Sequence, residues 1–591
     1  MNQCWLAFIS VMFFFVFKVD GGEAKYASWI ESRHYGANDG YVSEVKVVGK
    51  RSENQNTISI PFTDLYKIES LVIEFFSEKS QKWKRVSPKE IKLSDLRTSS
   101  FIDDAKHYTT LVPGNTRFRF SYSLIVEDRM LTTPIVVSSY RIDSFHCDIS
   151  IPFGFELYWY KDVIEDEFNI DLTEVEDDEG TYYSLNTISL ETSRNDHIRL
   201  PFSVTKKGED PFQAFQKWNA GLRSGLESLN PSSKSIIDSL CAGKEKHLEI
   251  AKTLFEHCQR NIRYVAVESG YSGWCPRSAN ITLANKLGDC KDMAHFLELG
   301  LLYKGIEAYS ALVHTLSSKA NVVYPAIGFA NHAICISIIG GDTLILDATD
   351  DDIPFGFSSR HTQGSSYLLL SEPHGIHTVP MISSAEVAER YNLHLTCNRI
   401  GHSEGNGEYH STPLIIGTEF DGAQVWESIE NDEIEMFLSR SFKEFSVMGI
   451  EKEGTENAPV HYRLENEKMI LNQVGGDHYL RLNAFDGLFL KQRDATEIPA
   501  IQYLPQNEEF VFEIKFDSSV KLIVFSEADT MVSGDFTFRF LIESTSSDKI
   551  LLRYSYVGDS LKLNEDNLAD LNNVATYANE FFDRYVLLFK D

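Results

Sequence analysis

Between residues 25 and about 205, short runs of apolar and polar residues alternate, and the segments 57–62, 70–76, 117–125 and 135–142 are rich in β-branched and aromatic side chains. Turn residues bound these runs, as at Pro113-Gly114-Asn115. Such spacing predicts a sandwich-like all-β domain. The acidic cluster at 174–179 reads as a solvated loop, and its spacing matches no calcium-binding loop.

The pattern changes near residue 210. Phe212, Phe215, Trp218 and Leu222 recur at helical intervals and predict a helix over 211–229. A second helix over 243–263 carries the stripe Leu248, Ala251, Leu254, Phe255, Cys258 and Ile262. A third runs over about 290–304, and strands follow at 308–313, 333–339 and 343–346. Helices followed by antiparallel strands indicate an α+β unit. From about 386 the chain reads as β-rich again, with runs at 510–516, 520–525, 536–542 and 550–556, then a helix over 568–585 leading into a closing strand. No short repeat is present. The layout is therefore β over 25–205, α+β over 206–385, and β over 386–591, after a leader at 1–24.

That leader rests on the apolar run from Cys4 to Phe17, followed by Lys18, Asp20 and Gly21-Gly22. The run fits a signal-peptide core and is shorter than the ~20 residues a membrane helix needs. Cleavage after Ala24 would export the chain, although no Lys or Arg precedes the run; an uncleaved anchor is the other reading. No other stretch is apolar enough to span a bilayer, so no transmembrane helix is expected in the mature chain. Of eight cysteines, Cys4 would leave with the leader, and the odd remainder requires at least one unpaired thiol. Their sparse spacing is not a disulfide scaffold, and without CxxC pairs no metal site is expected. The formal net charge of −30 favours solubility and argues against nucleic acid as a partner.

Candidate chemistry gathers in the middle region. Residues 288–292 read Gly-Asp-Cys-Lys-Asp, directly before the apolar helix carrying Met293, Ala294, Phe296, Leu297 and Leu301. Asp289 is a good N-cap, and Asp292 three residues on approaches a capping box. Cys290 then lies in the first turn, where unpaired backbone N–H groups and the positive end of the helix dipole favour a thiolate. That is what a nucleophile requires. A buried structural cysteine, capped by chance, is the plainer account.

Asn331-His332-Ala333-Ile334 opens a strand, Gly340-Gly341 marks a two-residue hairpin, and the returning strand ends in Asp347-Ala348-Thr349-Asp350. With the glycines at the turn, His332 falls opposite Thr349, and Asp347 shares its face. Diagonal neighbours on one face lie roughly 7–8 Å apart, within side-chain reach. A carboxylate that accepts one imidazole N–H fixes the ring and leaves its other nitrogen for a nucleophile. A polar hairpin end would look the same in isolation. The further acids Asp350, Asp351 and Asp352 read as solvated, with cation binding the other reading.

Gly-Asp-Cys-Lys-Asp, Asn-His-Ala-Ile and Leu-Asp-Ala-Thr, in that order, resemble the transglutaminase-like superfamily. The segments Ile262-Arg263-Tyr264-Val265-Ala266-Val267-Glu268 and Trp274-Cys275-Pro276-Arg277 resemble its lead-in, so the likeness covers about 245–360. The whole chain resembles a bacterial group with an N-terminal β domain of unknown function, a transglutaminase-like core and a C-terminal β domain. The resemblance implies a multidomain α+β protein: a papain-like transglutaminase core, helices plus antiparallel sheet, flanked by two β-rich domains. It implies Cys290 as nucleophile, His332 as general base and acid, and Asp347 as orienter. The oxyanion would be held by the nucleophile's backbone N–H and a second donor, for which the Trp274 indole is a candidate. The family pattern does not require Trp there; packing against Pro276 is the plainer role. Cys275 reads as a bystander or a disulfide partner. No cofactor is implied, and the group is usually exported, often to the periplasm or cell surface of Gram-negative bacteria.

The expected activity is thiol-dependent acyl transfer on amide bonds. Water as acceptor gives a peptidase or amidase, and an amine gives a protein-glutamine crosslinker; the triad does not choose between them. Proteins, peptides or cell-wall peptides are the substrates considered. The alternative is a non-catalytic module whose β domains bind a polysaccharide or a protein, with Cys290 sealed from solvent. A glycoamidase would bring zinc-binding CxxC pairs, which the sequence lacks.

Overall fold

The computed structural model describes residues 25–590 apart from internal gaps, the longest at 51–56, 160–170, 191–197, 316–324, 412–433, 453–459 and 488–501. The expected leader at 1–24 and the acids Asp350, Asp351 and Asp352 lie outside the described residues. Two compact units emerge: residues 1–351 with 365–379, and residues 352–364 with 380–591. The boundary expected near 205 lies inside the first unit. The one expected near 385 lies close to Pro380, where the main stretch of the second begins.

The α+β fold class is overturned. Strand outweighs helix, 50% against 22%, so the described structure is mostly β and not a papain-like core of helices plus sheet with β flanks. Among the described residues, the longer α-helices are confined to 211–303 and Glu565–Phe582. The helical periodicity is real but local, and the sequence reading gave it the weight of a fold class. Strands at Lys25–Tyr35, Tyr41–Lys50 and Glu389–Cys397, unread in the sequence, tip the balance.

In the first unit, an eight-stranded sheet runs in the order 171–176, 180–190, 142–152, 25–35, 41–50, 117–126, 66–77, 82–85. Alternation builds it: Phe118, Phe120, Tyr122, Leu124 and Val126 of Arg117–Val126 all point into the core. The strands Lys25–Tyr35 and Ile142–Pro152 pair in parallel; the other ladders of this sheet are antiparallel. The cluster at 174–179, expected as loop, is the strand Asp171–Glu176 and an exposed turn.

Five helices follow: α1 (Pro211–Leu222), α2 (Pro231–Leu240), α3 (His247–Asn261), α4 (Ala279–Asn285) and α5 (Cys290–Tyr303). The expected helix over 211–229 ends at Leu222, and Gly225 takes a left-handed φ of 86° just beyond. Helix α5 is buried over most of its surface and packs against β1 (Glu307–Val313) and β2 (His332–Ile339). These join β3 (Asp342–Leu346), β4 (Ser366–Leu369) and β5 (Ile376–Thr378) in an antiparallel sheet ordered β3-β2-β1-β4-β5.

The second unit holds another eight-stranded sheet, in which Glu389–Cys397 and Gln506–Phe516 pair in parallel. Phe510, Phe512, Ile514 and Phe516 point inward, and the helix Glu565–Phe582 packs against the sheet, its Phe581 stacking on Phe540 at 4.2 Å. The strand expected over 520–525 is irregular. Val520 and Leu522 are buried there without a ladder, so apolar alternation reported burial and not pairing.

Candidate active site

The position of Cys290 is set by a cap. The Asp289 side chain accepts from the Asp292 N–H at 3.2 Å, and the Asp292 carboxylate accepts from the Asp289 N–H at 3.1 Å. This reciprocal capping box starts α5 at Cys290. Arg277 fastens the preceding segment to the same carboxylate, donating from its backbone N–H at 2.6 Å and from Nε and Nη2 at 2.8 and 2.6 Å. Gly288 allows the close approach: a Cβ there would meet Asp292 Cβ and Thr282 Cγ2 at 3.1 Å each.

The hairpin supplies the other two groups. Gly340 and Gly341 turn with φ of 67° and 96°, and the register runs from Ile339 opposite Asp342 to Cys335 opposite Leu346. This is the register read from the sequence. Beyond the last pair, His332 Nε2 lies 2.8 Å from Asp347 Oδ2. Asp347 Oδ1 accepts from the Thr349 hydroxyl at 2.6 Å and its N–H at 3.3 Å. With Nε2 engaged, Nδ1 is the ring nitrogen left for Cys290, and both residues line one pocket.

Electrostatics support a charged pair. Burial works against the imidazolium, yet the Asp347 charge and hydrogen bond, with a hydrogen bond to Cys290, hold His332 well above the ordinary histidine value. Burial also pushes the Asp347 carboxyl up, but the His332 charge and hydrogen bond and the Thr349 bonds bring it below its ordinary value. Cys290, His332 and Asp347 are all buried.

Trp274 is buried and lines the same pocket. Cys275 is half-buried, a free thiol whose Sγ lies 3.2 Å from the Leu222 carbonyl. The other six described cysteines, Cys290 among them, are also free thiols.

Sequence reasoning missed a polar floor. Arg223, at the C-cap of α1, pairs with Glu298 and approaches His295 Nδ1 at 2.7 Å; the Ser310 hydroxyl donates to Glu298 at 2.7 Å. Burial pushes Glu298 up, but His295, Arg223 and Ser310 outweigh it and bring it down to about 2. Arg223 and Ser310 reach the pocket, as do Asn219 and Lys291, whose ammonium pairs with Asp289. The available signal was His295 and Glu298 inside an otherwise apolar helix, since buried polar groups require partners.

No protein-family model matches the chain. No curated protein matches it either. Among solved structures, a candidate protease from Parabacteroides distasonis is similar over 96% of this chain and 99% of its own, at 10% identity and a TM-score of 0.58, which establishes a shared fold. A candidate cysteine protease from Cytophaga hutchinsonii matches 55% of this chain and 78% of its own, at 12% identity and a TM-score of 0.17.

Proposed function

We propose that the protein is a thiol hydrolase of amide bonds, a cysteine peptidase or amidase. The observation that carries this reading is His332, bonded to Asp347 through Nε2 and sharing a pocket with Cys290 at the start of α5. The shared fold with a candidate protease points the same way.

Cys290 Sγ attacks the amide carbonyl carbon, its proton having already passed to His332. The C–N bond breaks as His332 protonates the leaving amine, and a thioester remains. Water then attacks the thioester, His332 taking its proton and returning it to the thiol. Asp347 orients the ring and stabilises its charge. The Cys290 N–H, in the unpaired first turn of α5, and the Trp274 indole are the proposed oxyanion donors. An amine in place of water would give transfer; a peptide is the proposed acyl donor. The apolar run from Cys4 to Phe17 supports export.

Low exposure of Cys290 favours the binding-module reading, in which the thiol is sealed. Iodoacetamide decides between them. Rapid labelling of the Cys290 peptide near neutral pH, abolished in Cys290→Ala together with amide cleavage, is expected. Labelling no faster than an ordinary buried thiol, or cleavage persisting in Cys290→Ala, overturns the assignment.

A further inference from the structure

The pocket beside Cys290 contains an acceptor with nothing to accept. Asn219 is 2% exposed, and its Oδ1 is buried without a hydrogen-bond partner. Buried polar atoms are nearly always satisfied, so an unmet one at a pocket wall asks what satisfies it. Asn219 is held firmly: one turn earlier on α1, Gln216 Nε2 donates to the Leu369 and Ser371 carbonyls at 2.9 and 2.8 Å. One turn later, Arg223 is locked to Glu298. The amide is therefore presented to the pocket by a helix fixed on both sides of it.

The surroundings define the missing donor. Arg223 and Lys291 line the same pocket, but each is already paired, with Glu298 and Asp289, so neither is left to compensate an entering charge. The remaining lining is largely apolar, including Trp274, Leu312 and Leu370, which disfavours an uncompensated ion of either sign, ammonium or carboxylate. The pocket is narrow, about 30 Å³, and takes a slender group.

We propose that Asn219 is the specificity residue of this pocket: its Oδ1 accepts a hydrogen bond from a neutral amide N–H of the group that enters beside Cys290, so carboxamide-bearing substrates are preferred. This rests on Cys290 being the nucleophile.

Two isosteric alkylators test it. Iodoacetamide carries the N–H donor; iodoacetone has a methyl in its place. Rates at the Cys290 peptide, read by mass spectrometry, are each normalised to glutathione. In the wild type the ratio favours iodoacetamide. Asn219→Leu should lower that ratio about tenfold, the worth of a neutral hydrogen bond, while the iodoacetone rate stays unchanged and shows the site intact. Asn219→Asp keeps an acceptor and should keep the preference. An unchanged ratio in Asn219→Leu, loss of preference in Asn219→Asp, or an Asn219-dependent preference for iodoacetate overturns the inference while leaving Cys290 as nucleophile. Failure of both reagents to label wild-type Cys290 removes the nucleophile itself.

Discussion

The two units bury carboxylates under opposite rules. In the first, buried acids meet cations or a ring: Glu298 faces Arg223, Asp289 faces Lys291, Asp292 faces Arg277, and Asp347 faces His332. In the second, Glu508 is register partner to Glu389 on the neighbouring parallel strand. Gln506 Nε2 donates to Glu508 at 3.2 Å, and the Tyr391 hydroxyl donates to Glu389 at 2.8 Å, with Tyr409 also bonded to it. Burial, and then the Glu389 charge, push Glu508 well above its ordinary value. Burial raises Glu389 too. Glu298 and Asp347 of the first unit are thus held below their ordinary values, whereas Glu389 and Glu508 of the second are held above theirs.

The signs follow. Glu298 lies below its ordinary 4.5, so its contribution to stability is present above pH 4.5 and lost as pH falls toward 2. Glu508 lies above 4.5, so its contribution is complete below that pH and lost as pH rises.

Breaking a pair in the first unit should have the largest effect. Glu298→Leu leaves Arg223 buried without its counter-charge, and a loss of about 3–5 kcal/mol is expected. Urea unfolding followed by tryptophan fluorescence reads it, since Trp29, Trp83, Trp159, Trp218 and Trp274 lie in that unit. A change within error would mean that the pair is not a structural charge.

Asp347→Asn comes next. Removing the carboxylate that raises His332 should reduce amide cleavage about 10²-fold. It should also move the alkaline limb of the pH–rate profile to lower pH, because the imidazolium is lost sooner. An unmoved limb would separate His332 from that role. Glu508→Gln should have the smallest effect and the opposite sign: a gain of about 1–2 kcal/mol at pH 8, where the wild type must hold or discharge a strained proton, and little change at pH 4. Calorimetry at the two pH values checks it; equal shifts would dissolve the contrast between the units.

What the sequence disclosed was local. A cap spanning four residues and a hairpin of two glycines place Cys290, His332 and Asp347 without further knowledge, because backbone geometry fixes both over a few residues. Arg223, Glu298 and Ser310 are distant along the chain and meet only when α1, α5 and β1 pack. Asn219 gave no signal, since an asparagine on a helix is ordinarily solvated. The segment 135–142, read as one strand, contributes Ile135–Val137 to one sheet and Ile142–Pro152 to another. Continuity of β-branched residues does not reveal such a handover. The mostly-β character was under-read for the same reason: parallel partners such as Lys25–Tyr35 and Ile142–Pro152 are set by topology.

The parallel ladder of the second unit has a consequence for biogenesis. Glu389–Cys397 acquires its partner 119 positions downstream. A ribosome adding about 5–20 residues per second needs on the order of ten seconds to deliver it. Throughout that interval one flank of a nascent strand bearing Tyr391, Leu393 and Leu395 stays open to any passing β-edge. Holdase chaperones that occupy such edges would therefore matter more to the yield of this protein than to its finished stability.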